Sequence, residues 1–220
     1  MPLSIDSTPD TLRFPSRVFD TYQQAGRLDD VKIIFSLREP ISRDISWYNH
    51  IKAYSLSGNK DSYVRVAANR TYDEYVREIT IPTLLGQSTN GNVENGLYAK
   101  YLKTWFELFP RKNILILSYN EIQHDAAKAR ERVELFLGRQ FPIDNEKNMK
   151  NWQTHNANDY SGKVLKPVCK IQQELAEIFE PYNTEFYELM ESTSKDRPSM
   201  EQHPFPRFEL SECTPTPGLP

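Results

Sequence analysis

The sequence predicts an α/β layered domain with a central parallel sheet, and three observations carry that expectation. Two short apolar runs, 31–37 (VKIIFSL) and 113–119 (NILILSY), are rich in β-formers and bounded by polar residues or proline. Such brief, nearly continuous hydrophobicity reads as strands buried on both faces. Between and after the runs the period turns helical, with Leu97, Tyr101, Trp105 and Leu108 on one stripe and Ala129, Val133, Phe136 and Leu137 on another. The first run also passes into a helix within three residues, at Pro40, where proline's missing N–H costs nothing in a first helical turn. Alternation of strand and helix is the pattern of layered α/β domains.

Taken in chain order, residues 10–20 (DTLRFPSRVFD) look like an approach to a helix inside a domain, so the expectation is a domain truncated at its N-terminus. The polar segment 55–69 reads as an irregular excursion. A long helix is predicted from about Pro167 to Met190 on the stripe Ile171, Leu175, Ile178 and Phe179, interrupted at Pro181 because proline cannot continue the hydrogen-bond ladder. From Ser192 the composition shifts to Pro, Ser, Thr and charged residues. The predicted organisation is one domain over 1–191, incomplete at its N-terminus, and a flexible Pro-rich tail over 192–220.

Composition narrows the function. The chain has 220 residues, 38% hydrophobic and 26% charged, with a formal net charge of −3. That balance suits a globular domain and excludes a general nucleic-acid binder, whose phosphate contacts need an excess of Lys and Arg. Any polyanion it handles must meet a local basic patch. The only two cysteines, Cys169 and Cys213, are far apart and support neither a disulfide framework nor a CxxC metal site. The four histidines, His50, His124, His155 and His203, lack the close spacing of zinc ligands, so no metal is predicted. No stretch reaches the ~18 apolar residues of a membrane helix, and the first ten residues have no signal-peptide pattern.

The chemistry concentrates in residues 33–50 (IIFSLREPISRDISWYNH), a strand running into a helix. Ligands of open α/β sheets sit beyond the carboxyl ends of the strands, where Arg38 lies. The adjacent helix N-terminus would add amide donors and a favourable dipole for an anion. Ser46 and His50, four apart, share one helix face. Arginine's planar fork and a serine hydroxyl together suit a phosphate monoester. Tyr98, Tyr101 and Trp105 are assigned to the core rather than to a sugar cleft.

Residues 37–46 (LREPISRDIS), with Arg38 and Ser46 eight apart, resemble the 3′-phosphate-binding motif of sulfotransferases that use 3′-phosphoadenosine 5′-phosphosulfate. The continuation 46–53 (SWYNHIKA) is most similar to the heparan-sulfate N-sulfotransferase branch, and further matches follow in the order of the heparan-sulfate N-/3-O-sulfotransferase type at 70–76, 96–109, 113–122, 177–183 and 186–189. The resemblance covers about residues 6–190 and implies a P-loop-like three-layer fold. It also implies transfer of a sulfuryl group from that donor to a hydroxyl or amine of a glycan, without a metal. By the same resemblance Arg38 and Ser46 hold the donor's 3′-phosphate; His50, on the helix face of Ser46, is read either as a contact to the transferring sulfate or an aid to proton transfer, or as a structural histidine. Lys163 and Lys166, in the basic loop 160–167, close over the phosphates or grip an anionic acceptor, and Trp152 and His155 precede that loop.

Departures from the family pattern sharpen the alternative. The family's 5′-phosphosulfate loop and its acidic base should lie upstream of Met1, Ser7 stands where a lysine is common, and loop 160–167 keeps its basic character without the family's cysteines. The rival expectation is therefore a non-catalytic nucleotide- or glycan-binding remnant of a sulfotransferase. A P-loop kinase is disfavoured, because no Gly-x4-Gly-Lys-Ser/Thr motif is present. The resemblance also implies a Golgi location, which no targeting segment in these residues supplies.

Overall fold

A computed structural model describes residues 9–56, 58, 61–141, 167–210 and 213. Their elements in order are α1 (Pro15–Gln24), β1 (Ile33–Leu37), α2 (Pro40–Leu56), α3 (Ser62–Ala68), α4 (Tyr72–Tyr75), a π-helical turn (Val76–Thr80), α5 (Ile81–Leu84) and α6 (Gly91–Glu94). There follow α7 (Tyr98–Leu108), β2 (Ile114–Ser118), α8 (Tyr119–His124), α9 (Ala126–Leu137) and α10 (Cys169–Ser192). The two predicted strands pair in parallel, with Ile33 opposite Ile114 and Leu37 opposite Ser118.

Side-chain alternation along β2 builds layers on both its faces. Ile114 and Ile116 join Phe35 and Leu37 of β1, Leu102 and Trp105 of α7, and Phe186 of α10 in one core, whereas Leu115 and Leu117 pack on Phe136 and Val133 of α9. All five β2 residues are buried. In β1 only Phe35 and Leu37 are, and Ile34 is 38% exposed. The expectation of two buried faces thus holds for β2 and fails for β1, because an apolar run does not reveal whether a layer covers its second face.

A second core gathers Ile41, Tyr48 and Ile51 of α2, Tyr72 and Tyr75 of α4, and Ile171, Leu175 and Phe179 of α10. Helix α10 therefore spans both cores, and it runs unbroken through Pro181 rather than stopping there. An interior proline costs about 3 kcal/mol. Phe179 and Phe186, each 1% exposed, lie on either side of it. Burying each contributes about 1.5–3 kcal/mol, enough to offset the lost ladder bond.

The segment 55–69, expected to be irregular, is largely helical: α2 continues to Leu56 and α3 covers Ser62–Ala68. Lys52 stabilises the end of α3 by donating to the carbonyls of Ala67, Ala68 and Arg70 at 3.0, 2.9 and 2.8 Å, a cation on a helix C-terminus. Local capping fixes α4, where Thr71 Oγ1 accepts from Glu74 N at 3.3 Å and Glu74 Oε2 accepts from Thr71 N at 2.7 Å.

The described part of the expected tail is packed, not loose. Phe205 is 6% exposed and joins Phe186 in the first core, with Phe208 against it. Glu201 pairs with Arg111 and accepts from Ile116 N at 2.8 Å, so a carboxylate from the C-terminal segment satisfies a backbone donor of β2. Cys213 is disulfide-bonded to Cys169, with Cα atoms 4.9 Å apart. Sequence separation hid this pair: the partners that folding brings together are 44 positions apart.

Candidate functional site

Parallel pairing sets the carboxyl ends of β1 and β2 side by side, and the next residues are Arg38 and Tyr119. The Arg38 guanidinium carbon lies 5.0 Å from the centroid of the Tyr119 ring. A cation over an aromatic face is attracted by the ring quadrupole, and the ring restricts where the fork can swing. The Arg38 carbonyl accepts a 2.6 Å hydrogen bond from the hydroxyl of Tyr98, at the start of α7. Tyr98 is 4% exposed, and burial pushes its phenol up to about 12, so it stays a donor across the physiological range. Arg38 is thus pinned through its backbone and flanked at its head.

Glu39 changes one expectation. Its carboxylate accepts from Ile41 N at 2.8 Å and Ser42 N at 2.5 Å. The N-terminal amides of α2, expected to serve an incoming anion, are occupied by the chain's own carboxylate, which the helix dipole favours there. Those two amides are thus not open to an incoming anion, and the candidate donors left at this strand end are side chains. No carboxylate among the described residues pairs with Arg38: Glu39 is engaged with those amides, and Asp44 with hydroxyls of other elements.

Ser46 is exposed six residues into α2, roughly 9 Å along its axis from Pro40. His50 follows one turn later, half-buried, with its ring centroid 5.6 Å from Trp47 and 4.6 Å from Tyr54. Trp47 also lies 6.2 Å from Tyr63 of α3. Arg38, Ser46 and His50 therefore sit on one continuous strand-to-helix unit, with Arg38 at its mouth and the other two along the helix. Lys163, Lys166, Trp152 and His155 lie outside the described residues. Trp105, 0% exposed, donates to Leu12 O at 2.8 Å and is core, as is Tyr98.

Behind this unit lies Asp44, 2% exposed, whose Oδ2 accepts from Tyr72 OH at 3.1 Å and Thr80 Oγ1 at 3.2 Å. Burial raises its carboxyl to about 6. Arg43 turns away and donates to Asn92 O at 2.6 Å. Among the described residues no three His, Cys, Asp or Glu side chains come close enough to hold a metal ion.

Sequence reasoning missed Tyr98, Tyr119 and the capping role of Glu39. Tyr119 carried a usable signal, since it directly follows the second parallel run as Arg38 follows the first.

The sequence is similar to those of known proteins. The model of the family described as "Sulfotransferase domain" matches residues 16–193. Human bifunctional heparan sulfate N-deacetylase/N-sulfotransferase 2 is 30% identical over 115 residues, covering 52% of this chain and 12% of that protein. Human heparan sulfate glucosamine 3-O-sulfotransferase 3B1 is 24% identical over 208 residues, covering 86% of this chain and 50% of its own length. A solved sulfotransferase from Alicyclobacillus acidocaldarius aligns over 82% of this chain and 61% of its own, with TM-score 0.49 and 22% identity. The chain spans half or less of the length of both human relatives. No described helix is long and apolar enough to cross a membrane. The family match covers most of the chain, which belongs to the sulfotransferase domain family.

Proposed function

We propose that the chain transfers a sulfuryl group from 3′-phosphoadenosine 5′-phosphosulfate to a hydroxyl or amine of a glycan. The observation that carries this reading is Arg38, held at the carboxyl end of β1 by Tyr98 and Tyr119, with the two nearest carboxylates in sequence engaged elsewhere. A planar cation in that position suits the donor's 3′-phosphate, and Ser46 supplies a hydroxyl further along α2. In the reaction the acceptor oxygen or nitrogen bonds to sulfur as the bond from sulfur to the 5′-phosphate oxygen breaks. Adenosine 3′,5′-bisphosphate leaves, and the acceptor's proton passes to a base.

Little covalent work is asked of the protein in such a transfer, which depends on positioning and charge stabilisation. Arg38 and Ser46 provide the positioning by fixing the nucleotide at its 3′ end. His50, on the same face as Ser46, is the candidate to meet the transferring group, and Lys163 and Lys166 are the candidates to close over the phosphates. The glycan acceptor follows from relatives named for heparan sulfate. The Cys169–Cys213 disulfide supports an oxidising compartment such as the Golgi lumen.

Incubation of the chain with sulfur-labelled donor and an N-deacetylated heparan-type polysaccharide tests the reading. Label is expected in the polysaccharide, and Arg38→Ala is expected to abolish it. Nucleotide binding without transfer would make the chain a binder on an enzyme's fold; absence of both would overturn the proposal.

A further inference from the structure

Asp44 is a buried carboxyl whose surroundings do not match its charge. Among the described residues, its Oδ1 has no hydrogen-bond partner, and Oδ2 has two neutral hydroxyl donors, at 3.1 and 3.2 Å. Among the described residues no cation donates to it; the nearby Arg43 donates to Asn92 O instead. Beside it the hydroxyl of Tyr75, 0% exposed, is likewise without a hydrogen bond of ordinary geometry. A carboxylate in such a place bears the full desolvation cost of its charge, whereas the neutral acid does not.

The location gives this consequence. Asp44 stands on α2 between Arg38 and Ser46, and its two donors come from other elements, Tyr72 from α4 and Thr80 from the π-helical turn. A π-turn is an uncommon helical geometry that often marks functional sites, and here it ends on Thr80, which reaches Asp44. Asp44 is therefore the polar link between the helix carrying the candidate site and the 72–80 segment behind it. Among the described residues, the titratable and charged groups that face it are Arg43 on α2, Glu39 just before that helix, and Tyr72 and Tyr75 on α4. Arg43 favours its charged form, Glu39 opposes it, and the two phenols, themselves raised by burial, remain neutral.

We propose that Asp44 is a proton-sensing positioning residue: when neutral it lets α2 pack on the Tyr72–Thr80 segment, and when ionised the burial of its charge disfavours that packing even though the two hydroxyls still donate to it. The sign follows from burial. The carboxyl rises from its ordinary 3.8 to about 6 in the fold, so the folded chain binds the proton more tightly than the unfolded chain. Its contribution to stability is fully present below the ordinary value and is lost as pH rises through about 6. The effect on the seat is independent of the donor-site reading; only its consequence for nucleotide affinity rests on that reading.

The test compares wild type with Asp44→Asn, a neutral side chain of the same shape. Their thermal unfolding midpoints are expected to differ least near pH 5 and to separate by roughly 5 °C in favour of the variant by about pH 7.5. Thr80→Val, which removes a donor to the ionised form, is expected to move the transition to higher pH. A midpoint gap that stays constant with pH, or a Thr80→Val transition that does not move, overturns the proposal.

Calorimetric titration with adenosine 3′,5′-bisphosphate reads the consequence at the site. The ratio of wild-type to Asp44→Asn dissociation constants is expected to rise several-fold over the same pH range, with the ligand's own titration cancelling between them. A constant ratio alongside an opening midpoint gap would overturn the positioning role. Absence of binding by either protein at every pH would instead sink the donor-site reading, and the midpoint gap would still decide whether Asp44 switches the seat.

Discussion

Replacing Glu201 with alanine is expected to lower the free energy of unfolding by about 3–5 kcal/mol, the usual cost of removing one partner of a buried ion pair. The Glu201 side chain is 0% exposed and that of Arg111 5%. Without the carboxylate, the guanidinium is left buried against Phe106 with a donor to Ile114 O but no counter-charge, and Ile116 N loses its acceptor. Removing both partners together has a different consequence. Arg111→Met with Glu201→Leu is expected to come close to wild-type stability, because burial of the two charges itself costs several kcal/mol. Denaturant midpoints of the two single variants and the double form a cycle that checks this. A loss below about 1 kcal/mol for Glu201→Ala would show that the C-terminal segment is not seated on β2 as described.

Arg38→Ala is expected to weaken binding of adenosine 3′,5′-bisphosphate about 10- to 100-fold, the scale of one or two hydrogen bonds to a charged group. Arg38→Lys is expected to recover only part of this, since an ammonium lacks the planar fork and cannot reproduce the stacked geometry over Tyr119. Neither variant should alter the unfolding midpoint much, because Arg38 is half-buried and the Tyr98 bond goes to its backbone carbonyl, which both variants keep. Calorimetric titration of the three proteins at one salt concentration decides the matter. Equal affinities would remove Arg38 from the site.

The strands and the strand-to-helix unit were legible because their signals are local. A run such as NILILSY can satisfy its hydrophobicity only by burial, and Pro40 three residues after Leu37 marks a helix start. What the sequence hid was tertiary. Tyr98 reaches Arg38 across 60 positions, and nothing in its neighbourhood distinguishes a phenol pointing at a strand end from one pointing at solvent. The C-terminal segment misled for a related reason. Its composition is that of loose chain, yet Phe205 and Phe208 pack on a face of α10, and Glu201 and Cys213 tie the same segment to Arg111 and Cys169. Pro181 was read by its local penalty alone, and the burial on either side of it outweighs that penalty.

In the proposed function the donor's 3′-phosphate is held by Arg38. The most direct measurement is the affinity of the wild-type chain for adenosine 3′,5′-bisphosphate against adenosine 5′-monophosphate, which lacks that phosphate. The bisphosphate is expected to bind at least about tenfold more tightly, with the preference lost in Arg38→Ala. Equal affinity for the two nucleotides, or a preference that survives Arg38→Ala, would contradict it.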